Sequence, residues 1–243
     1  MLILRSLLFN LAFYLWAAGM MILYLPLIVG PRIVIVRGME MWSDGVMWLA
    51  RVIVGLKVEI RGSENLPAGA CLLAVKHQSA WDTVKAHHMG HDPAIVMKAE
   101  LLWIPLYGWY SKKVGMIAVD RSAGAKALKA MLAAARAAAA AGRPIVIFPQ
   151  GTRVAPGVQV PYQPGVAALY RDLGVPVVPV ALNSGLFWPR RQFLRRPGTI
   201  VVEYLPPIPP GLDRRRFMAE LEAAIEGATD RLVAEAQTSG GSR

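Results

Sequence analysis

The hydrophobic pattern divides the chain into three stretches. Residues 6–29, SLLFNLAFYLWAAGMMILYLPLIV, carry no charge and a single Asn. That length is enough to cross a bilayer, which takes about 20 apolar residues. Arg5 precedes the run, Gly30-Pro31-Arg32 closes it, and Pro26 is expected to kink or shorten the helix. Tyr14, Trp16 and Tyr24 suit lipid interfaces. The run is long for a signal peptide and no A-x-A cleavage site follows it. In residues 33–56, Met39, Trp42, Val46, Leu49, Ile53 and Leu56 recur at helical spacing, which predicts an amphipathic helix. Such a helix lies on a membrane or packs on the remainder of the protein. A helical hairpin entering one leaflet and a single spanning helix both fit, because basic residues flank both ends.

From Lys57 the pattern changes. Short apolar runs occur at 57–61, 71–75, 93–97, 116–119, 144–148, 175–182 and 199–204, with helical stretches between most of them. This alternation predicts an α/β fold, a helix-covered mixed β-sheet preceded by the apolar helix or hairpin. The expected organisation is membrane-anchoring helices at 1–56, an αβ domain at 57–237 and a flexible tail at 238–243. Residues 122–141 read as a helix with Ser122 as N-cap, Gly142 as stop, and Leu128, Leu132 and Ala135 facing inward. A last amphipathic helix is expected from Asp213 to Gln237, buried through Phe217, Leu221, Ile225, Ala228 and Leu232. Residues 175–183, VPVVPVALN, contain two prolines, which remove ladder donors and predict an edge or bulged strand.

Composition sharpens this picture. In 243 residues the hydrophobic share is 55%, the mean hydropathy +0.39 and the formal net charge +11. A basic chain suits nucleic acid, anionic lipid or phosphorylated substrates. The apolar N-terminus favours lipid, and no RRM, KH or zinc-finger signature appears, so no nucleic-acid partner is expected. The Arg190-Arg191, Arg195-Arg196 and Arg214-Arg215-Arg216 clusters are solvated surface or contacts for anionic head groups. Cys71 is the only cysteine, so no internal disulfide forms. Its place in an apolar strand makes it core filler.

Candidate chemistry begins at residues 70–82, ACLLAVKHQSAWD. Positions i and i+5 lie about 140° apart on a helix, so His77 and Asp82 cannot meet within one helix. They meet if His77 ends the strand, residues 78–81 form the turn, and Asp82 enters the first helical turn, where a carboxylate is favoured. Asp82 would then fix the tautomer of His77 and leave its other nitrogen as a base. The alternative is a surface histidine beside an N-cap aspartate. PIVIFPQGTR at 144–153 is a strand running into Gln150, Gly151, Thr152 and Arg153, a turn whose backbone N–H groups, hydroxyl and guanidinium suit phosphate, or an ordinary turn. KVGMIAVDR at 113–121 offers Arg121 as a second clamp, unless Asp120 pairs with it. Ligands in open α/β sheets gather at the carboxyl ends of strands, where His77, Arg121 and Arg153 all fall. His87, His88 and His91 invite a metal reading, but no H-E-x-x-H motif is present and exposed histidines at a helix end are expected instead. No G-x-S-x-G occurs, which disfavours a serine hydrolase.

Four blocks stand in order: H-x4-D at His77–Asp82, G-x4-D-R at Gly115–Arg121, F-P-x-G-T-R at Phe148–Arg153, and V-P-V-V-P-V at Val175–Val180. Over residues 57–210 the chain resembles the PlsC-type glycerophospholipid acyltransferases, most closely 1-acylglycerol-3-phosphate acyltransferases. That family usually has Glu where this chain has Gln150. The resemblance implies transfer of an acyl group from acyl-CoA or acyl-carrier protein to lysophosphatidic acid, giving phosphatidic acid. It implies His77 as general base with Asp82 behind it, and Arg121, Gly151, Thr152 and Arg153, with Gln150 and Lys113, as substrate-binding residues. It further implies no cofactor, no metal, membrane lipids as partners, and an inner-membrane location with the site facing the cytosol. A same-family enzyme acting on lyso-ornithine lipid or glycerol 3-phosphate is the alternative, and a non-catalytic lipid-binding membrane protein a more distant one.

Overall fold

The computed structural model describes residues 1–240. Seven strands form one sheet in the order β1-β7-β6-β2-β5-β3-β4. They are β1 (Leu56–Arg61), β2 (Leu72–Val75), β3 (Ala94–Lys98), β4 (Ile117–Val119), β5 (Ile145–Ile147), β6 (Val177–Leu182) and β7 (Gly198–Tyr204). All seven coincide with predicted apolar runs to within two residues. The five strands β6, β2, β5, β3 and β4 are mutually parallel. β7 runs antiparallel to β6, and β1 runs parallel to β7. The sheet is therefore mixed, and the parallel strands all release their carboxyl ends at one edge.

Two apolar layers cover the sheet. On one face, Leu73 and Val75 of β2 and Val146 of β5 pack with Phe9 of α1 (Leu2–Tyr24), Val46 of α2 (Arg32–Leu49), and Trp81 and Val84 of α3 (Ala80–Lys85). On the other, Leu72, Ala74 and Ile145 pack with α5 (Gly124–Ala140), α6 (Pro164–Leu173) and α7 (Arg214–Gly240). The even–odd split is the two-residue period of a strand, which sends alternate side chains to opposite layers. The remaining helix, α4 (Tyr107–Lys113), follows β3.

The N-terminal stretches form a helical hairpin. α1 passes into a 3-10 turn at Leu25–Val29, and α2 returns along it after Pro31. Two glycines of α2 permit the close approach: a Cβ at Gly38 would lie 2.3 Å from the Tyr24 ring, and one at Gly45 would lie 2.3 Å from the Trp16 indole. Leu2–Val29 is long and apolar enough to cross a membrane, with mean hydropathy 1.9, and most of its large side chains are exposed. Residues 1–56 are not set apart from the αβ domain, since Phe9, Val46, Ala50 and Val54 belong to the same core as β2.

Several local expectations change. Of the edge and bulged alternatives for β6, the edge is excluded, since the strand lies between β7 and β2 with all six of its residues buried, and the bulged one holds. Its proline is accommodated because the register to its neighbour slips by one residue between the Val177–Ile208 bridge and the Val180–Tyr204 pair, and Pro179 lies in that gap. Its carbonyl still accepts from Leu205 N at 2.9 Å. The N-cap of α5 is Ala123, not Ser122, because Asp120 holds a preceding 3-10 turn by accepting from Ser122. α5 buries Met131, Ala135 and Ala138, while Leu128 is exposed. α7 buries all five predicted residues and runs on to Gly240. The tail expected at 238–243 thus begins in a helix, and its residues 241–243 lie outside the described residues.

His87 is buried rather than exposed, edge-on to Trp42 with ring centroids 6.1 Å apart. Burial, with repulsion from His88, pushes its pKa from 6.5 down to about 4. Below pH 6.5 an unfolded chain therefore binds a proton that the folded chain refuses. Stability from this group is complete above that pH and is lost as pH falls towards 4, by about 3 kcal/mol. Thermal midpoints in detergent across this range should fall less steeply for His87→Gln than for the unaltered protein; parallel curves would discount the histidine.

Candidate active site

The site starts from a capping box. Ser79 is the N-cap of α3, its hydroxyl accepting from Trp81 N at 3.1 Å. Asp82, three residues on, reaches back to accept from Ser79 N at 2.8 Å. This is the reciprocal arrangement that satisfies orphan donors at a helix start. The same carboxylate oxygen accepts from Gln78 N at 2.7 Å and faces His77 Nδ1 at 2.9 Å. Its other oxygen accepts from the Ser184 hydroxyl at 2.5 Å. Asp82 is wholly buried and His77 is 8% exposed. Because a carboxylate only accepts, the proton sits on Nδ1 of His77, and Nε2 is left with a free lone pair. Of the two readings of H-x4-D, the structure has the strand-exit geometry.

The turn after β5 lies beside this dyad. Phe148 stacks on the His77 ring, with centroids 4.1 Å apart and planes 25° from parallel. Val154 N donates to His77 O at 2.8 Å, tying the end of the turn to the base. Gly151 adopts φ +68°, and a Cβ there would lie 3.0 Å from the Arg121 guanidinium. The glycine is therefore favoured by its backbone, while the exposed arginine over it could shift aside. Asp120 bonds Ser122, at 2.9 Å to its N–H and 2.6 Å to its hydroxyl, and does not pair with Arg121. Among the described residues, no carboxylate forms an ion pair with Arg121 or Arg153, whose side chains are both exposed. Thr152 is exposed beside them. Two cations without counter-charges around a bare backbone turn suit an anionic oxygen cluster.

Not every predicted residue joins this surface. Gln150 is 2% exposed and turns into the opposite layer, its Nε2 3.4 Å from Glu226 Oε1, so it does not line the turn's outer face. The physical reason is the polar site behind the sheet edge, which offers an amide a carboxylate partner. Lys113 ends α4 and makes no hydrogen bond or ion pair with the other candidates among the described residues. His87 abuts Trp42 and His88 lies 3.0 Å from Asp44, and no group of three metal-binding side chains assembles among the described residues. Ser184 and Gln78 were missed. Ser184 follows β6 at the same sheet edge, and Gln78 Oε1 accepts from Gly185 N at 2.9 Å. The rule that led to His77 and Arg153, polar residues just past parallel strands, also points to Ser184.

A buried imidazole steered by a carboxylate, set against unpaired guanidinium groups, can draw a proton from the hydroxyl of an anionic substrate. The protein class follows from the Acyltransferase family model, which matches residues 57–183; the chain belongs to that family. Among relatives, it is 35% identical to the 1-acyl-sn-glycerol-3-phosphate acyltransferase of Pseudomonas aeruginosa, over 80% of this chain and 76% of that one. It is 30% identical to the enzyme of the same name from Salmonella typhimurium, over 75% of each. In fold it matches the crystal structure of the 1-acyl-sn-glycerophosphate (LPA) acyltransferase PlsC from Thermotoga maritima, with TM-score 0.79 and 21% identity, covering 96% of this chain and 98% of that one.

Ser184→Ala removes one of four donors from a carboxylate without access to water. It should cost about 1–3 kcal/mol of stability, read as a lower denaturation midpoint in urea with detergent present. An unchanged midpoint would mean that the Ser184 hydroxyl is dispensable to Asp82.

Proposed function

We propose that the protein transfers an acyl group from an acyl thioester, acyl-CoA or acyl-carrier protein, to the free hydroxyl of 1-acylglycerol 3-phosphate, forming phosphatidic acid. The observation that carries this reading is the His77–Asp82 dyad at 2.9 Å on the same sheet edge as Arg121, Gly151 and Arg153. The names of the relatives supply the acceptor. No cofactor or metal enters the reading.

The chemistry follows from the geometry. Nε2 of His77 takes the proton of the glycerol hydroxyl as its oxygen attacks the thioester carbonyl. Asp82 stabilises the imidazolium that forms. The tetrahedral adduct collapses, the carbon–sulfur bond breaks, and the imidazolium returns its proton to the leaving thiolate. No covalent acyl-enzyme forms, and the base contributes about 10²–10⁴-fold. Arg121 and Arg153, with the Thr152 hydroxyl and the backbone N–H groups that follow Gly151 (whose own N–H donates to Phe148 O at 2.8 Å), hold the phosphate. Fixing the head group holds the hydroxyl against Nε2, which converts binding into proximity. The exposed apolar surface of α1 supports a membrane location, and the reading takes this to be the inner membrane with the site on the cytosolic side.

The test is an acyl-transfer assay on purified protein with lysophosphatidate, lyso-ornithine lipid and glycerol 3-phosphate, each with CoA and carrier-protein donors and with EDTA present. Lysophosphatidate should be the best acceptor, and EDTA should change nothing. Turnover of a phosphate-free acceptor alone would overturn the substrate assignment. His77→Ala should lower kcat by at least about 10²-fold, whereas Arg153→Ala should act mainly through a higher KM for the phosphorylated acceptor. Near-normal turnover by the histidine variant would remove the general base.

A further inference from the structure

Behind the site lies a second buried polar group that the reaction above does not use. Lys76 immediately precedes His77, yet the strand alternation sends its side chain to the opposite layer, where it is 2% exposed. There its Nζ meets Glu226 Oε2 of α7 at 2.5 Å. Glu226 Oε1 accepts from the Tyr162 hydroxyl at 2.7 Å and from Gln150 Nε2 at 3.4 Å. Burial and the neighbouring Glu226 carboxylate hold the Tyr162 phenol far above its ordinary range, so it remains a donor. Gln150 in turn immediately precedes Gly151 of the phosphate turn, and its Oε1 is buried without a partner. One carboxylate thus joins the residue before the base, the residue before the phosphate turn and the C-terminal helix.

We propose that Glu226 is a positioning residue, whose carboxylate sets the distance between the His77 base and the 151–153 turn by holding Lys76 and Gln150 together from behind the sheet. The proposal rests on the acyl-transfer reading of that site. Lys76 needs a counter-charge where water does not reach, and among the described residues Glu226 is the carboxylate bonded to it. Gln150 suits the place because it is uncharged: a carboxylate at that position would stand about as close to Glu226 as the amide does, and the two would repel. The charge therefore belongs on one of the two residues, and this chain carries it on the helix. Misplacement of reacting groups by about 1 Å costs about 10²-fold in rate. The loss of Glu226 should accordingly fall on kcat more than on substrate affinity.

The experiment compares four proteins in detergent, using whichever acceptor the unaltered enzyme acylates best: the unaltered enzyme, Glu226→Gln, the exchange Glu226→Gln with Gln150→Glu, and the apolar pair Lys76→Met with Glu226→Leu. Thermal midpoints are read alongside kcat and KM. Glu226→Gln should lower kcat by about 10–100-fold, with KM changed by less than about threefold. The exchange should restore kcat to within about threefold, because it returns one carboxylate to the cluster. The apolar pair should keep or raise the midpoint, as such replacements often do, but remain as slow as Glu226→Gln. A single variant with unaltered kcat would overturn the proposal. So would an apolar pair as fast as the exchange, since a purely structural role is met equally by good apolar contacts. An error in the acceptor appears in the unaltered enzyme's preference, and an error about Glu226 in the ratios between proteins, so the two failures are distinguishable.

Discussion

A carboxylate removed from water must be surrounded by donors, and the Asp82 carboxylate is. It has four partners: two backbone N–H groups, the Ser184 hydroxyl and the His77 ring. Breaking one contact of a buried charge is far costlier than losing a surface pair. The 77–82 loop, the start of α3 and the exit of β6 are therefore held to one another through a single side chain. The same contacts give the histidine one tautomer and one orientation. Local fold and candidate chemistry are here the same set of hydrogen bonds.

The sheet makes this concentration possible. Five parallel strands deliver their carboxyl ends to one edge, so residues far apart in sequence become neighbours there. Adjacent residues at each exit then diverge to opposite layers. His77 meets Phe148 on the α3 side, while Lys76 meets Glu226 on the α7 side. Gly151 and Gln150 divide in a comparable way, one beneath Arg121 and the other towards Glu226. The edge thus has a working surface in front and an ionic support behind, built from successive residues of the same two strand exits.

What was legible in the sequence was whatever depends on period and on adjacency. The central runs became β2, β5 and β6 because burial on both faces needs uninterrupted apolar residues, whereas β1, exposed along most of its length, alternates apolar and polar residues. The buried face of α7 followed from its 3.6-residue spacing, and the His77–Asp82 contact from the impossibility of meeting within one helix. What depends on partners distant along the chain was not legible. Ser184 lies 102 residues from Asp82, and Glu226 lies 150 residues from Lys76. The prolines of 175–183 left an edge strand and a bulged one equally open, because the choice rests on the neighbour, whose register slip beside Pro179 leaves a place for it. The inward turn of Gln150 was hidden for the same reason, since nothing local announces a carboxylate arriving from the last helix.

The relation between the apolar N-terminus and the site is also physical. Phe9 of α1 meets Trp188 edge-on, with centroids 5.0 Å apart, and the Ser6 hydroxyl accepts from Arg195 N at 2.9 Å. Trp188 N donates in turn to Ser184 O at 2.9 Å, and Ser184 holds Asp82. The Arg195 guanidinium closes over the Trp188 ring at 4.9 Å. A helix whose outer side is bare hydrocarbon is thereby joined to the His77–Asp82 pair through two residues of one connection. Long apolar helices that merely tether a domain need only a linker. This one is built into the same core as β2, so the orientation of the helix fixes the orientation of the sheet edge.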